Sequence, residues 1–141
     1  MLLGKTLVVT GISSGIGARI GELAIALGAD VIGIDVKPPA APLGAFLKAD
    51  IASPQAIVEL VEMLPRRIDA LCNVAGVSGV SGAAKTLAIN FYGLRALSEA
   101  VAPRLREGGA VVNIASIAGY GWRANLARAV AFVEPAGFPD I

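Results

Sequence analysis

Residues 5–17, with the sequence KTLVVTGISSGIG, decide the fold of this chain. Lys5 to Thr10 is a short and nearly continuous apolar run, typical of a strand buried on both faces of a parallel sheet. A glycine-rich turn follows at once. From Gly15 onward an amphipathic helix is predicted that ends at Gly28 and carries a stripe of large apolar residues, Ile16, Ile20, Leu23 and Leu27.

The glycine-rich turn is a candidate phosphate site. Its glycines allow a tight turn and close backbone approach, and the exposed amides and positive dipole end of the helix can hold an anionic pyrophosphate. A merely flexible loop is the alternative, but a strand before it and a helix after it favour phosphate binding. The predicted dinucleotide contacts are Gly11, Ser13, Ser14, Gly15, Ile16 and Gly17.

The rest of the chain repeats the alternation of strand and helix. Such alternation predicts an α/β fold, a Rossmann-like doubly wound parallel sheet of about five strands with helices on both faces, whose crevice lies at the carboxyl ends of the strands. Residues 1–119 are predicted to form the dinucleotide-binding domain, and 120–141 the start of an insert or an irregular tail containing Pro135, Gly137 and Pro139. The further predicted elements are strands at Asp30–Asp35, Ala45–Ala49, Asp69–Val74 and Ala110–Ala115, a helix capped by Ser53-Pro54, a long helix from Leu87 to Leu105 stopped by Gly108-Gly109, and a weak helical pattern from Trp122 to Val133.

Composition excludes several classes of protein. The chain has 141 residues, 12 Lys+Arg against 11 Asp+Glu, and 55% hydrophobic residues. Near-zero charge argues against nucleic acid or an anionic membrane surface as partner, and the apolar content argues against disorder. With no histidine and only Cys72, no metal site of the usual ligands and no internal disulfide are expected, which suits the cytoplasm. No spanning helix or secretory signal is visible.

Asp35 is the candidate ribose-binding residue. It ends the second predicted strand and follows Gly17 by 18 residues, close to the ~20 expected for an acid that hydrogen-bonds the adenosine ribose. A carboxylate there repels a 2′-phosphate, so NAD is favoured over NADP, although nearby Lys37 could soften the repulsion. A solvated acid at a strand end stays an open alternative.

At this point the sequence resembles the short-chain dehydrogenase/reductase family. The glycine pattern from Thr10 to Gly17 matches that family's cofactor motif, and four further segments follow in the family's order up to residue 119. They are Asp50-Ile51, similar to the pair beside the adenine; Asn73-Val74-Ala75-Gly76, similar to the segment that steadies the central sheet; Asn90; and Ser116 in VNIASIAG.

The resemblance implies hydride transfer between a nicotinamide and an alcohol or carbonyl substrate, which could be steroid-like or otherwise hydrophobic. It implies that Ser116 holds the substrate oxygen and that Asn90 orders a proton-relay water, beside a tyrosine acid/base whose pKa a lysine lowers. It also implies a homo-oligomer joined through the Leu87–Leu105 helix. From the residues alone, Asn90 could simply bond a neighbouring carbonyl and Ser116 could simply cap a strand end.

The family's Tyr-x-x-x-Lys is missing. Tyr92 is followed four residues on by Ala96 and Tyr120 by Ala124, so the chain taken literally lacks the proton donor. The favoured hypothesis is the front part of a longer dehydrogenase, inactive alone, because a sheet ending at the fifth strand would leave an open apolar edge. A helical insert before the tyrosine would resemble the 3α-hydroxysteroid dehydrogenase/carbonyl reductase subgroup. Alternatives are a short paralogue or assembly module that binds NAD without turnover, and a methyltransferase-type Rossmann domain.

Overall fold

A five-stranded, all-parallel sheet organises the chain, in a computed structural model that describes residues 1–134. The strand order is β3-β2-β1-β4-β5, so the chain crosses from one side of β1 to the other between β3 and β4. This topology confirms the predicted Rossmann-like fold and places the switch point beside β1. The strands are β1 (Thr6–Thr10), β2 (Asp30–Asp35), β3 (Ala45–Lys48), β4 (Ile68–Asn73) and β5 (Leu105–Asn113).

Helices cover both faces of the sheet. Ser53 caps α2 as predicted, because its hydroxyl accepts a hydrogen bond from the Ala56 amide at 3.3 Å and Pro54 fixes the first turn. The helices are α1 (Gly15–Ala26), α2 (Pro54–Met63), α3 (Ala83–Leu87), α4 (Leu94–Val101) and α5 (Leu126–Val133).

The predicted long helix from Leu87 to Leu105 is wrong in its detail. A π-helical segment, Ala88–Gly93, joins α3 to α4, and a 3₁₀ turn, Ala102–Arg104, ends the run. Pro103 stops the helix earlier than the predicted Gly108-Gly109, since its ring cannot continue the hydrogen-bond ladder.

Those two glycines belong to β5 instead. The register of β4 against β5 shifts between Ile68, which pairs with Leu105, and Ala70, which pairs with Ala110. Gly108 has φ +75° within this irregularity, a conformation that other residues rarely adopt.

Two apolar clusters form the core, one on each face of the sheet. Alternate residues of β1 point to opposite faces, so Val8 packs with α2 and α4 while Leu7 and Val9 pack on the α1 side. The first cluster contains Val8, Ile34, Ile51, Ile57, Leu60, Leu64, Ile68, Leu71, Leu97 and Val101, and the second contains Leu7, Val9, Ile12, Ala24, Ala29, Val31 and Cys72.

The apolar stripe predicted for α1 does not face the core. Ile16, Leu23 and Leu27 are 57%, 64% and 48% exposed, and only Ile20 packs against the core. The buried face consists of Gly17, Gly21 and Ala24. Small residues let the helix axis approach β1 and β2 closely, and large side chains at those positions would hold it away.

The fifth strand is largely exposed. Within residues 1–134, β5 pairs only with β4, and Val111, Val112 and Ile114 are each more than 40% exposed. Beyond it, a 3₁₀ segment (Ile117–Asn125) leads into α5, while the predicted breakers Pro135, Gly137 and Pro139 lie outside the described residues. Among the described helices, none is both long and apolar enough to cross a membrane.

Candidate functional site

A cavity of about 320 Å³ lies at the carboxyl ends of the strands. This volume is at the lower end of the range of about 300–1,000 Å³ for ligand pockets. Nine of the predicted site residues line the cavity: Gly11, Ser14, Ile16, Gly17, Asp35, Asp50, Ile51, Ala75 and Gly76. The structure therefore brings together the glycine turn, the end of β2, the loop after β3 and the loop after β4.

The glycine turn packs too closely for side chains. A Cβ on Gly17 would lie 2.1 Å from the Gly11 carbonyl oxygen, and one on Gly11 would lie 2.9 Å from the Ala75 Cα. Gly11 also has φ +71°. These contacts hold the turn against the start of α1, with main-chain atoms rather than side chains at its surface. Exposed main-chain amides in this position can bind a phosphate.

The first turn of α1 has no side-chain cap. Ser14 stands at the N-cap position, yet its side chain makes no capping hydrogen bond, and the first turn contains no acidic residue. The first amides of a helix have no partner within the helix. With the positive end of the helix dipole added, this turn suits an anion.

Thr10 holds the floor of the cavity. Its hydroxyl oxygen accepts hydrogen bonds from the Val74 amide at 2.9 Å and the Ala75 amide at 3.0 Å, and its side chain is buried. The end of β1 is thereby fixed to the loop after β4. Thr10 belongs to the glycine motif but is not among the predicted site residues; a hydroxyl at the end of a buried central strand is the sequence signal that points to it.

Asp35 is fixed by main-chain amides. Its carboxylate accepts from the Ser13 amide at 3.0 Å and from the Val36 amide at 2.7 Å. Ser13 also donates its hydroxyl to the Lys37 carbonyl, so the glycine turn is tied to Asp35 and to the chain that follows β2. Ser13 therefore shapes the cavity although it does not line it, and Lys37 lines it together with Asp35.

Asn73 lies beneath the site. It is buried at the end of β4, and its amide nitrogen donates to the Ser98 hydroxyl at 2.9 Å and to the Asn113 side-chain oxygen at 2.8 Å. These bonds join β4 to α4 and to the end of β5. Asn73 thus occupies a structural position. Through Asn113 it contacts the chain three residues before Ser116.

Asn90 clamps the rim of the cavity. Its side-chain oxygen accepts from the Val77 amide and its nitrogen donates to the Val77 carbonyl, both at 2.8 Å. Val77 lines the cavity, whereas Asn90 itself does not. The π-helical segment that carries Asn90 also approaches the loop after β3, since a Cβ on Gly93 would lie 2.2 Å from the Ile51 carbonyl oxygen.

Ser116 lies apart from the cavity, just beyond β5. It is exposed, and its hydroxyl accepts from the Ala118 amide at 3.2 Å as the N-cap of the following 3₁₀ segment. Gly15, with φ +55°, belongs to the turn but does not line the cavity either. The cavity residues that were not predicted are mainly apolar: Ile34, Val36, Ala49, Val74, Val77 and Ile89.

Cys72 is a core residue. It is buried in β4 beside Val9 and Leu7, and burial raises the pKa of its thiol. The thiol is thus kept protonated at neutral pH, and it does not line the cavity. In residues 1–134, no group of three or more Cys, Asp or Glu side chains is arranged to hold a metal ion.

The strand order, the glycine turn at the start of α1 and the acid at the end of β2 define a nucleotide-binding domain of the Rossmann type. The chain belongs to the short-chain dehydrogenase family, whose family model matches residues 5–128. Membership confirms the resemblance found in the sequence and removes the methyltransferase alternative.

Similar proteins extend this assignment. The chain is 43% identical over 125 residues to coniferyl-alcohol dehydrogenase of Pseudomonas sp. (strain HR199 / DSM 7063), covering 89% of this chain and 49% of that protein. It is 38% identical to D-threitol dehydrogenase of Mycolicibacterium smegmatis, covering 80% and 53%. The chain thus spans about half the length of these relatives.

Solved structures show the same fold. The RhlG/NADP active-site complex of Pseudomonas aeruginosa superposes with a TM-score of 0.74 at 30% identity, over 84% of this chain and 55% of that one. A short-chain dehydrogenase/reductase from Brucella melitensis superposes with a TM-score of 0.75 at 28% identity, over 94% and 72%.

Proposed function

We propose that this chain binds a nicotinamide dinucleotide, with NAD preferred, and supplies the cofactor-binding part of an oxidoreductase that interconverts an alcohol and a carbonyl. The observation that carries the proposal is the approach of Gly17 to Gly11, which bares the main chain at the mouth of α1 opposite the fixed Asp35 carboxylate. The family and its dehydrogenase relatives support the type of reaction.

The residues present fit such a cofactor. The first turn of α1, with Ser14, Ile16 and Gly17, would hold the pyrophosphate by main-chain amides. Asp50 and Ile51 would lie beside the adenine, and the nicotinamide, when bound, supplies the site that accepts or donates hydride. Asp50 is preorganised, since its carboxylate accepts from the Ala52 amide at 2.9 Å.

The preference for NAD rests on Asp35. Two main-chain amides hold its carboxylate at the wall of the cavity, where it can accept from a ribose hydroxyl but would repel a 2′-phosphate. Lys37 lines the same cavity and opposes that repulsion. RhlG was solved with NADP, so the fold it shares with this chain accommodates either dinucleotide, and the proposed preference rests on the charge at Asp35.

The chain is expected to lack turnover by itself. Neither tyrosine has a lysine four residues later, so no residue pair of the family type can donate and accept the proton at the substrate oxygen. Ser116 would donate its hydroxyl proton to that oxygen, because its bond with the Ala118 amide uses the hydroxyl only as an acceptor. Asn90 would act as a positioning residue, because both ends of its amide already hold Val77.

Calorimetric titration of the 141-residue chain with NAD and with NADP tests the proposal. We expect saturable binding of both, tighter for NAD, and no reduction of NAD when coniferyl alcohol is added as a probe alcohol. Absence of any dinucleotide binding would overturn the assignment of the site. Measurable turnover would overturn the expectation of inactivity and would require a proton donor other than the family pair.

A further inference from the structure

Four arginines lie together at the amino-terminal ends of β4 and β5, on the opposite side of the sheet from the proposed dinucleotide site at the carboxyl ends. Two loops meet there: one precedes β4 and carries Arg66 and Arg67, and the other precedes β5 and carries Arg104. Together with Arg106 at the start of β5, these side chains line one cleft of about 430 Å³. The lining is Arg66, Arg67, Pro103, Arg104, Leu105, Arg106 and Glu107.

Half of this positive charge is held in place by the protein. The Arg104 guanidinium donates to the carbonyls of Leu64 and Pro65, at the end of α2. Arg106 lies with its Nε 3.8 Å from the carboxylate of Asp69. A guanidinium fixed in this way loses less conformational entropy on binding an anion.

The other half, Arg66 and Arg67, has no protein partner in the described part of the chain. Within residues 1–134, neither Arg66 nor Arg67 makes an ion pair or a side-chain hydrogen bond, and both are exposed. Glu107 is the one carboxylate among the residues lining the cleft, against four guanidinium groups. Like charges gathered around one concave surface repel one another, and an anion seated among them relieves that repulsion.

The lining selects the class of anion. Of the seven described residues that line the cleft, five are charged and none is aromatic. The cleft therefore offers no stacking surface for a base and too little apolar lining for an apolar ligand. Guanidinium groups bind phosphate oxygens in bidentate fashion. We propose that this cleft is a second, separate anion site that binds a small phosphate-bearing ligand, with pyrophosphate bound more tightly than inorganic phosphate.

Pyrophosphate and inorganic phosphate are the probes, titrated into the full chain by calorimetry at about 20 mM and about 200 mM NaCl. Binding should weaken at the higher salt concentration. The double variant Arg66→Ala/Arg67→Ala should bind pyrophosphate about tenfold more weakly or worse, whereas Glu107→Gln should bind it roughly two- to threefold more tightly. Both arginines are exposed, so circular dichroism should show an unchanged fold.

The matched control is Arg123→Ala/Arg128→Ala. It removes the same two charges from exposed positions far along the chain, outside the cleft. Its affinity for pyrophosphate should equal that of the unmodified chain. Equal weakening in both double variants would show a mere effect of net charge and would overturn the proposal.

Pyrophosphate could also occupy the glycine turn, and saturating NAD separates the two sites. If pyrophosphate still binds in the presence of NAD and the double variant Arg66→Ala/Arg67→Ala weakens that binding about tenfold or more, the cleft is the site. Displacement of all pyrophosphate by NAD would overturn the proposal while supporting the dinucleotide site. If NAD does not bind, the comparison of double variants still decides about the cleft.

Discussion

Replacement of Gly17 by alanine tests the close approach of Gly17 to Gly11 in the proposed dinucleotide site. The new Cβ would lie 2.6 Å from the Gly11 carbonyl carbon and 2.1 Å from its carbonyl oxygen, and the second distance is more than 1 Å short of an ordinary contact. Gly11 cannot retreat freely, because its amide donates to the Ile34 carbonyl at 2.8 Å and its Cα side faces Ala75. The strain must therefore move main chain.

The magnitude follows from two opposing terms. Overpacking against a rigid neighbour costs about 3 kcal/mol, and alanine returns about 1 kcal/mol of helix propensity over glycine. The expected net loss is about 2 kcal/mol in the free energy of unfolding, which corresponds to roughly 6–8 °C in Tm for a chain of this size. NAD binding should weaken by about tenfold or more, since the amides at the mouth of α1 move apart.

Gly21→Ala is the matched control on the same helix. Its Cβ would lie 2.6 Å from Cδ1 of Ile12, the far end of a side chain rather than main chain. The helix propensity gained is the same, so the net change should be within about 1 kcal/mol of zero. Thermal unfolding and NAD titration measure both variants. A Gly17→Ala chain as stable as Gly21→Ala, with undiminished affinity for NAD, would refute the close-approach argument.

Three further outcomes are expected. Asp35→Ala should weaken NAD and narrow its advantage over NADP in parallel titrations, and unchanged affinities would remove Asp35 from the site. Ser53→Ala should lower the free energy of unfolding in urea by about 1 kcal/mol, while Ser14→Ala, which loses no capping bond, should leave it nearly unchanged. The pKa of the Asp69 carboxyl is lowered in the folded chain, mainly by the Thr6 amide and next by the Lys5 ammonium. Asp69 therefore stabilises the folded chain at pH values above its unfolded pKa of about 3.9, and this stabilisation is lost as the pH falls below that value. Urea midpoints of Asp69→Asn should accordingly lose that pH dependence, and a parallel decline in both proteins would contradict the assignment.

Local patterns predicted the sheet well because each strand is short, apolar and bounded by turn residues. Asp30–Asp35 is found at the predicted bounds, and Ser53 caps the helix it was expected to cap. The wrong prediction of the buried face of α1 has a physical cause. The helix packs close to the sheet, so its face of small residues is buried and its face of large apolar residues is exposed. Gly17, Gly21 and Ala24 share the spacing of the large residues, and periodicity alone could not tell which stripe packs inward.

The residues around the cavity were predictable where the proposed contacts are made by main chain. The glycine turn and Asp35 could be found because their chemistry depends on residue type and on position after a strand. Asn90 and Ser116 carry less information of that kind, since an amide or hydroxyl can equally well satisfy its neighbours. In the structure each is engaged in such a local bond, with Val77 and Ala118 respectively, and their roles toward substrate stay predictions.

The contacts of β1 also govern when this domain can fold during synthesis on the ribosome. At one end of the strand the Thr6 amide donates to the Asp69 carboxylate, and at the other end the Thr10 hydroxyl accepts from the amides of Val74 and Ala75. These bonds cannot form until the later residues have been synthesised. The first strand to be synthesised is thus the central strand of the sheet. The side of β1 that pairs with β4 stays unpaired until more than sixty further residues have left the exit tunnel. Nascent chains shorter than this should engage chaperones that hold apolar segments, and release should coincide with the emergence of β4.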